Sequence, residues 1–261
     1  MPDAPASQLD PDIASENAPA PQPASQPALN PAQKRRLGWE LLLIIIAVWL
    51  PHFYLSIHYV LLPPTSPSHL SFGDQEFWEI TATLRSIAIV LLVLMLAGVD
   101  WQTHGFKRLS MKDLLFTILA CAAVYVVRWV AGYWIPILLG PFFRDLAGLH
   151  HNAGVPGKIR PEGGFEHLIL AFQYLLGGFS EELFFRAYLL PRWKLFSGSI
   201  VKAVIFSTVL FALVHIYQGA YAFIRSGVFG LMFACLFLWS RRVLPISIGH
   251  AFNNLSLYAG I

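Results

Sequence analysis

From about residue 38 onward the chain is a succession of apolar runs, each close to the length that crosses a lipid bilayer as a helix. An α-helix rises about 1.5 Å per residue, so about 20 residues span a hydrocarbon core of about 30 Å. Seven runs occur, near 38–62, 79–99, 114–139, 166–190, 200–217, 220–239 and 243–260, of which the fifth and seventh are short. Backbone amides in hydrocarbon have no water to bond, and runs of this length satisfy them internally as helices. Composition points the same way. Of 261 residues, 56% are hydrophobic and 13% charged, about half the charged share of a soluble domain. The expectation is an all-α, polytopic transmembrane bundle of seven spans, or eight if the 140–165 connection adds a span or a re-entrant segment.

Residues 1 to about 33 are rich in Pro, Ala, Ser and Gln and show no apolar period. Such a segment buries too little surface to offset its ordering entropy and reads as a disordered tail. It has neither the charged start nor the apolar centre of a signal peptide, so it is expected to be retained. Lys34, Arg35 and Arg36 close it, giving a tail over 1–36 and a membrane domain over 37–261. Assigning the connections to alternate sides collects Lys34, Arg35, Arg36, Lys107, Arg108, Lys112, Arg192, Lys194, Lys202, Arg241 and Arg242 on one side. The other side receives Arg144, Lys158 and Arg160. The positive-inside rule then places the N-terminus in the cytoplasm.

The net charge of +3 is small, and no basic stretch interleaved with aromatics suggests nucleic acid. The expected partners are membrane lipids and a membrane-associated protein or lipidated peptide. Cys121 and Cys235 both lie in apolar runs, without a CxxC or a Cys/His cluster. They read as small buried apolar residues, not as a disulfide or a thiolate metal site. No internal repeat supports an inverted-repeat transporter.

Ionisable residues inside spans cost about 2.5–3.5 kcal/mol each on insertion scales, so each asks for a reason. Arg85, Arg128 and Arg225 occur singly and read as snorkelling residues or members of structural ion pairs. The fourth run is different, carrying Gly177-Gly178-Phe179-Ser180-Glu181-Glu182-Leu183-Phe184-Phe185-Arg186. Glu182 and Arg186, four apart, share a helix face and can pair. Glu181 points about 100° away from Glu182. A purely structural Glu–Arg lock accounts for Glu182 and Arg186 but leaves Glu181 without a role. The fifth run supplies Phe211 and His215, and the seventh His250 and Asn254, again four apart. If Phe196-Ser197-Gly198-Ser199 forms the turn and Pro191 does not end the helix early, Glu181 and His215 lie at similar depth.

Such a set can hydrolyse an amide. A carboxylate and a histidine can share the proton work, and an imidazole with a carboxamide can donate to an oxyanion. No Ser/His/Asp or Cys/His order is present. One Glu and two His would also be a catalytic zinc ligand set, with Glu181, His215 and His250 as ligands, although the HExxH spacing is absent.

At these residues the chain resembles the CPBP family, which includes the CAAX-prenyl protease type 2 enzymes and the bacteriocin-immunity-related Abi proteins. The family's motifs EExxxR, FxxxH and HxxxN occur here in order as Glu181-Glu182 with Arg186, Phe211 with His215, and His250 with Asn254. The resemblance covers about residues 166–258. It implies a helical bundle with an internal site, in which Glu181 and His215 activate water, His250 and Asn254 form the oxyanion hole, and Glu182 with Arg186 supports them. It leaves open a divalent metal such as zinc, though a metal-free glutamate mechanism uses every polar group. It also leaves open a non-catalytic membrane immunity or scaffold protein on the same helices.

Overall fold

The computed structural model describes residues 29–61, 71–143, 159–218 and 220–259. Among them all regular structure is helical. The expected tail up to residue 28 and the candidate extra segment at 144–158 lie outside the described residues.

Helix α1 (Pro31–Leu61) starts earlier than its apolar run, so Lys34, Arg35 and Arg36 sit in its first turns. The reason is local. Asn30 Oδ1 accepts from the Gln33 amide at 2.9 Å while Gln33 Oε1 accepts from the Asn30 amide at 3.0 Å, and Pro31 fits the first helical position. Helix α2 (Phe72–Leu96) begins on a reciprocal cap between Ser71 and Asp74. Helix α3 (Met111–Phe143) follows.

The fourth run is one 34-residue rod, Gly164–Ser197, in three parts. Helix α4 (Gly164–Glu182) passes through a π-helical stretch, Leu183–Leu189, into α5 (Leu190–Ser197). Pro191 has no N–H to return to the preceding turn, and the wider π turn lies just ahead of it, with the Leu190 amide reaching back to the Phe185 carbonyl. The rod therefore continues past Pro191. It ends at Gly198, whose φ of 71° is left-handed, and Ser199 caps α6 (Ile200–Leu213) through the Lys202 amide. The turn falls where the sequence placed it.

The fifth run departs from expectation. Helix α6 stops at Leu213, and Val214 and His215 form a turn ahead of the 3₁₀ segment Ile216–Gln218. The side chain explains this. His215 Nδ1 lies 2.8 Å from the Phe211 carbonyl that its own amide would take in a continuing helix, and that amide bonds to Ala212 instead, at 3.0 Å. Helices α7 (Ala220–Ser240) and α8 (Val243–Ala259) complete the chain.

Among the described residues, five helices are long and apolar enough to cross a membrane, namely Pro31–Tyr54, Phe72–Leu96, Met111–Ile135, Gly164–Ser197 and Ala222–Ser240. Their outward faces carry exposed Trp39, Leu43, Leu96, Leu138 and Trp239, side chains that lipid solvates. The molecule is an integral membrane protein. Cys235 is exposed on α7 and Cys121 half-buried, so neither is the fully buried residue the sequence suggested. Both lie on helix faces only partly covered by neighbours.

Without a hydrophobic force between helices in lipid, small residues let backbones approach. A Cβ on Gly178 of α4 would lie 3.0 Å from the Ser247 carbonyl and Ala251 amide of α8. One on Gly249 of α8 would lie 2.8 Å from Ala120 of α3. Ion pairs fasten the helix ends. Glu40 of α1 accepts from Arg192 Nε at 2.8 Å and from the Tyr188 hydroxyl at 3.2 Å, and Asp113 of α3 pairs with Arg242.

Candidate active site inside the bundle

The three polar sequence segments converge where α4 meets α8. Glu182 and Arg186 have no solvent exposure. Their four-residue spacing survives the π stretch, with Arg186 Nε 3.1 Å from Glu182 Oε2. The two are close enough for ionic attraction without the alignment of a hydrogen bond. Arg186 Nη2 donates to the Gly230 carbonyl of α7 at 3.0 Å. The guanidinium is enclosed by aromatic rings, its carbon 4.9 Å from the Phe211 centroid, 5.6 Å from Phe185 and 5.7 Å from Phe233.

The other oxygen of Glu182 lies 2.7 Å from His250 Nδ1. The opposite ring nitrogen, Nε2, faces Glu181 Oε2 at 3.6 Å. The adjacent carboxylates, expected to face apart, thus take one nitrogen each of the same imidazole. An unbroken chain of groups results, Arg186–Glu182–His250–Glu181, in which only the Glu181 side chain retains appreciable exposure, 22%. Phe233 stacks on the imidazole with centroids 5.1 Å apart and planes 13° apart. This fixes the ring plane while the carboxylates fix its direction.

His215 joins from the turn after α6. A carbonyl only accepts, so Nδ1 carries the proton in the bond to Phe211 and the neutral ring presents a bare Nε2. The charges of Glu181 and His250 both act on this ring. Phe211 serves twice, its ring against Arg186 and its carbonyl on His215. Asn254 is half-buried one turn beyond His250. Its Oδ1 accepts from Asn253 Nδ2 at 3.3 Å, a bond that does not use its own NH₂. Glu181, Glu182, Arg186 and His250 are therefore in direct contact, His215 is in electrostatic reach, and Asn254 is alongside.

Among the described residues, no three His, Cys, Asp or Glu side chains come together to hold a metal ion. Nδ1 of both His215 and His250 is engaged, which leaves Nε2 as the nitrogen each can offer to a ligand or substrate. Of the lone arginines, Arg128 donates to the Asn253 carbonyl at 3.3 Å.

A family model described as type II CAAX prenyl endopeptidase Rce1-like matches residues 164–256. Over that segment the chain is similar to the Rce1-like family. The matched stretch, similar to CAAX-type endopeptidases at the family level, is the one that holds Glu181, His215 and His250. No curated protein and no solved structure matches the chain. The Rce1-like segment begins with α4 and ends within α8, leaving α1, α2 and α3 outside the match.

The sequence reading missed Phe233, Gly230 and Gly178 beside this Rce1-like site. Gly178 and Gly230 carried a signal, since glycine in an apolar helix marks close packing. Phe233 carried none, being one of 20 phenylalanines in the chain.

Proposed function

We propose that this protein is an intramembrane endopeptidase that hydrolyses a peptide bond in a membrane-associated, prenylated CAAX-type protein. What carries the reading is the chain Arg186–Glu182–His250–Glu181, which ends on a partly exposed carboxylate. A structural lock needs only its first two members. The Rce1-like match supports the peptidase class.

In the proposed mechanism water attacks the scissile carbonyl and gives its proton to Glu181, with His215 Nε2 as the second acceptor. The carbonyl oxygen becomes an oxyanion and accepts from His250 and from the Asn254 carboxamide. With Glu182 ionised, Nδ1 of His250 donates to it, so Nε2 donates only when both ring nitrogens carry protons. The positive charge of that form is offset by the carboxylates on either side. As the tetrahedral intermediate collapses, the C–N bond breaks and the proton held by Glu181 passes to the leaving amine. Glu182 and Arg186 touch no reacting atom and act by positioning.

The test compares new peptide termini in membranes of cells carrying the parent or Glu181→Gln at matched protein levels. Termini present only with the parent are expected, and purified Glu181→Gln should lose about a thousandfold or more in turnover. Identical terminus profiles would overturn the reading in favour of a non-catalytic scaffold. Turnover is expected to survive a strong chelator, because every proton transfer is assigned to a side chain.

A further inference from the structure

Hydrolysis inside a bilayer needs a second reactant that the hydrocarbon excludes. We propose that water reaches Glu181 along one face of α4, in a file between α4, α2 and α1 that is lined by Gln173, Gly177, Glu79 and His52. The proposal deepens the hydrolytic reading and rests on it for its purpose, though not for its test.

Two buried polar atoms carry the argument. Glu181 Oε2 and Gln173 Oε1 are both inaccessible and have no hydrogen-bond partner among the described residues. A buried acceptor left unmade costs about 1–3 kcal/mol, and native proteins resolve such sites with ordered water that finds two to four partners. Both atoms belong to α4, eight residues apart and so about 12 Å along the axis and about 80° around it, on adjoining parts of the helix surface. Residue 177 lies between them and has no side chain. A Cβ there would meet nothing nearer than Gln173 Nε2 at 4.0 Å. Its neighbour Gly178 is the opposite case, pressed against the α8 backbone at 3.0 Å. One side of α4 is sealed against α8, and the adjacent side keeps room.

The walls of that room are polar, which lipid-facing surfaces are not. Gln173 Nε2 donates to Glu79 Oε2 of α2 at 3.0 Å, so the amide nitrogen is committed and the carbonyl oxygen is the atom left over. His52 of α1, exposed at the helix surface, is within electrostatic reach of Glu181, Arg85 and Glu79. Trp49 seats this part of α1, its ring 4.9 Å from both His52 and Phe185. Ionisable residues gathered on one side of a membrane helix mark hydrated paths. Here the first two helices, which lie outside the Rce1-like match, supply half the lining.

The experiment is thiol labelling in intact membranes, in a background where Cys121 and Cys235 are replaced by serine. Gly177→Cys and Gln173→Cys are treated with a charged, membrane-impermeant methanethiosulfonate. Leu175→Cys, 46% exposed towards lipid on the same helix, and Thr103→Cys in an exposed turn are the controls. The thiolate is the reacting species and forms only in water, so both test positions should label at least about tenfold faster than Leu175→Cys. A folded variant at either position that labels no faster than Leu175→Cys would overturn the proposal. If Gly177→Cys does not fold, Gln173→Cys decides alone. Labelling needs no turnover and can be repeated in Glu181→Gln, so its failure is distinct from failure of the peptidase reading.

Discussion

Arg186→Met isolates the energetics of the buried chain. The substitution keeps an unbranched stem among Phe185, Phe211 and Phe233 but removes the guanidinium from a Glu182 carboxylate that has no solvent exposure. At 3.1 Å and an effective dielectric of about 20, the lost attraction is about 5 kcal/mol. The lost hydrogen bond to the Gly230 carbonyl adds about 2 kcal/mol. Burying the guanidinium has a desolvation cost that the variant no longer bears, so the net destabilisation is about 3–5 kcal/mol, the range for breaking a buried pair by removing one partner. Reversible unfolding in mixed micelles with increasing denaturing detergent measures it. The double variant Glu182→Gln/Arg186→Met leaves no unpaired charge and should regain most of the loss, ending within about 1–2 kcal/mol of the parent. An Arg186→Met protein as stable as the parent, or a double variant no better than the single, would refute the account of an obligatory buried pair.

Gly178→Val places side-chain atoms where even a Cβ meets the α8 backbone at 3.0 Å. It should cost about 2–3 kcal/mol by overpacking and lower turnover by parting Glu182 from His250, as unfolding and peptide cleavage assays would show. Phe233→Leu removes the ring stacked on His250, and kcat should fall about three- to tenfold with KM nearly unchanged. A rise in KM at constant kcat would contradict the orienting role. Glu40→Gln weakens the tie to Arg192 at partly exposed side chains. Unfolding should register only about 1 kcal/mol, with kcat retained.

The apolar runs and their order were legible because hydrocarbon leaves the backbone one solution: among the described residues each of the seven runs is helical, though only five of the helices are long and apolar enough to cross a membrane. The contacts of Glu182 were half legible. Its pairing with Arg186 follows from spacing within one helix, whereas its bond to His250 depends on how closely α4 and α8 approach, which Gly178 and no periodicity determines. The end of α6 was not legible, because it turns on a side chain capturing a backbone acceptor. The polar side of α4 was hidden for a related reason. Gln173, Glu79 and His52 fall in three helices, and nothing local to any of them announces the other two.

The ion pair of Glu182 and Arg186 also sets an order of events during synthesis. Both partners lie within one helical turn and can enter the bilayer together, each already neutralising the other. His250 follows Glu182 by 68 residues, which at about 5–20 residues per second is a delay of about 3 to 14 s. Through that interval the carboxylate must sit in the membrane without its imidazole. An intrahelical partner is what makes the wait tolerable, and the cluster closes only when the last helix arrives. A chain stopped after α7 would hold the Glu182–Arg186 pair and lack the imidazole that lies between the two carboxylates.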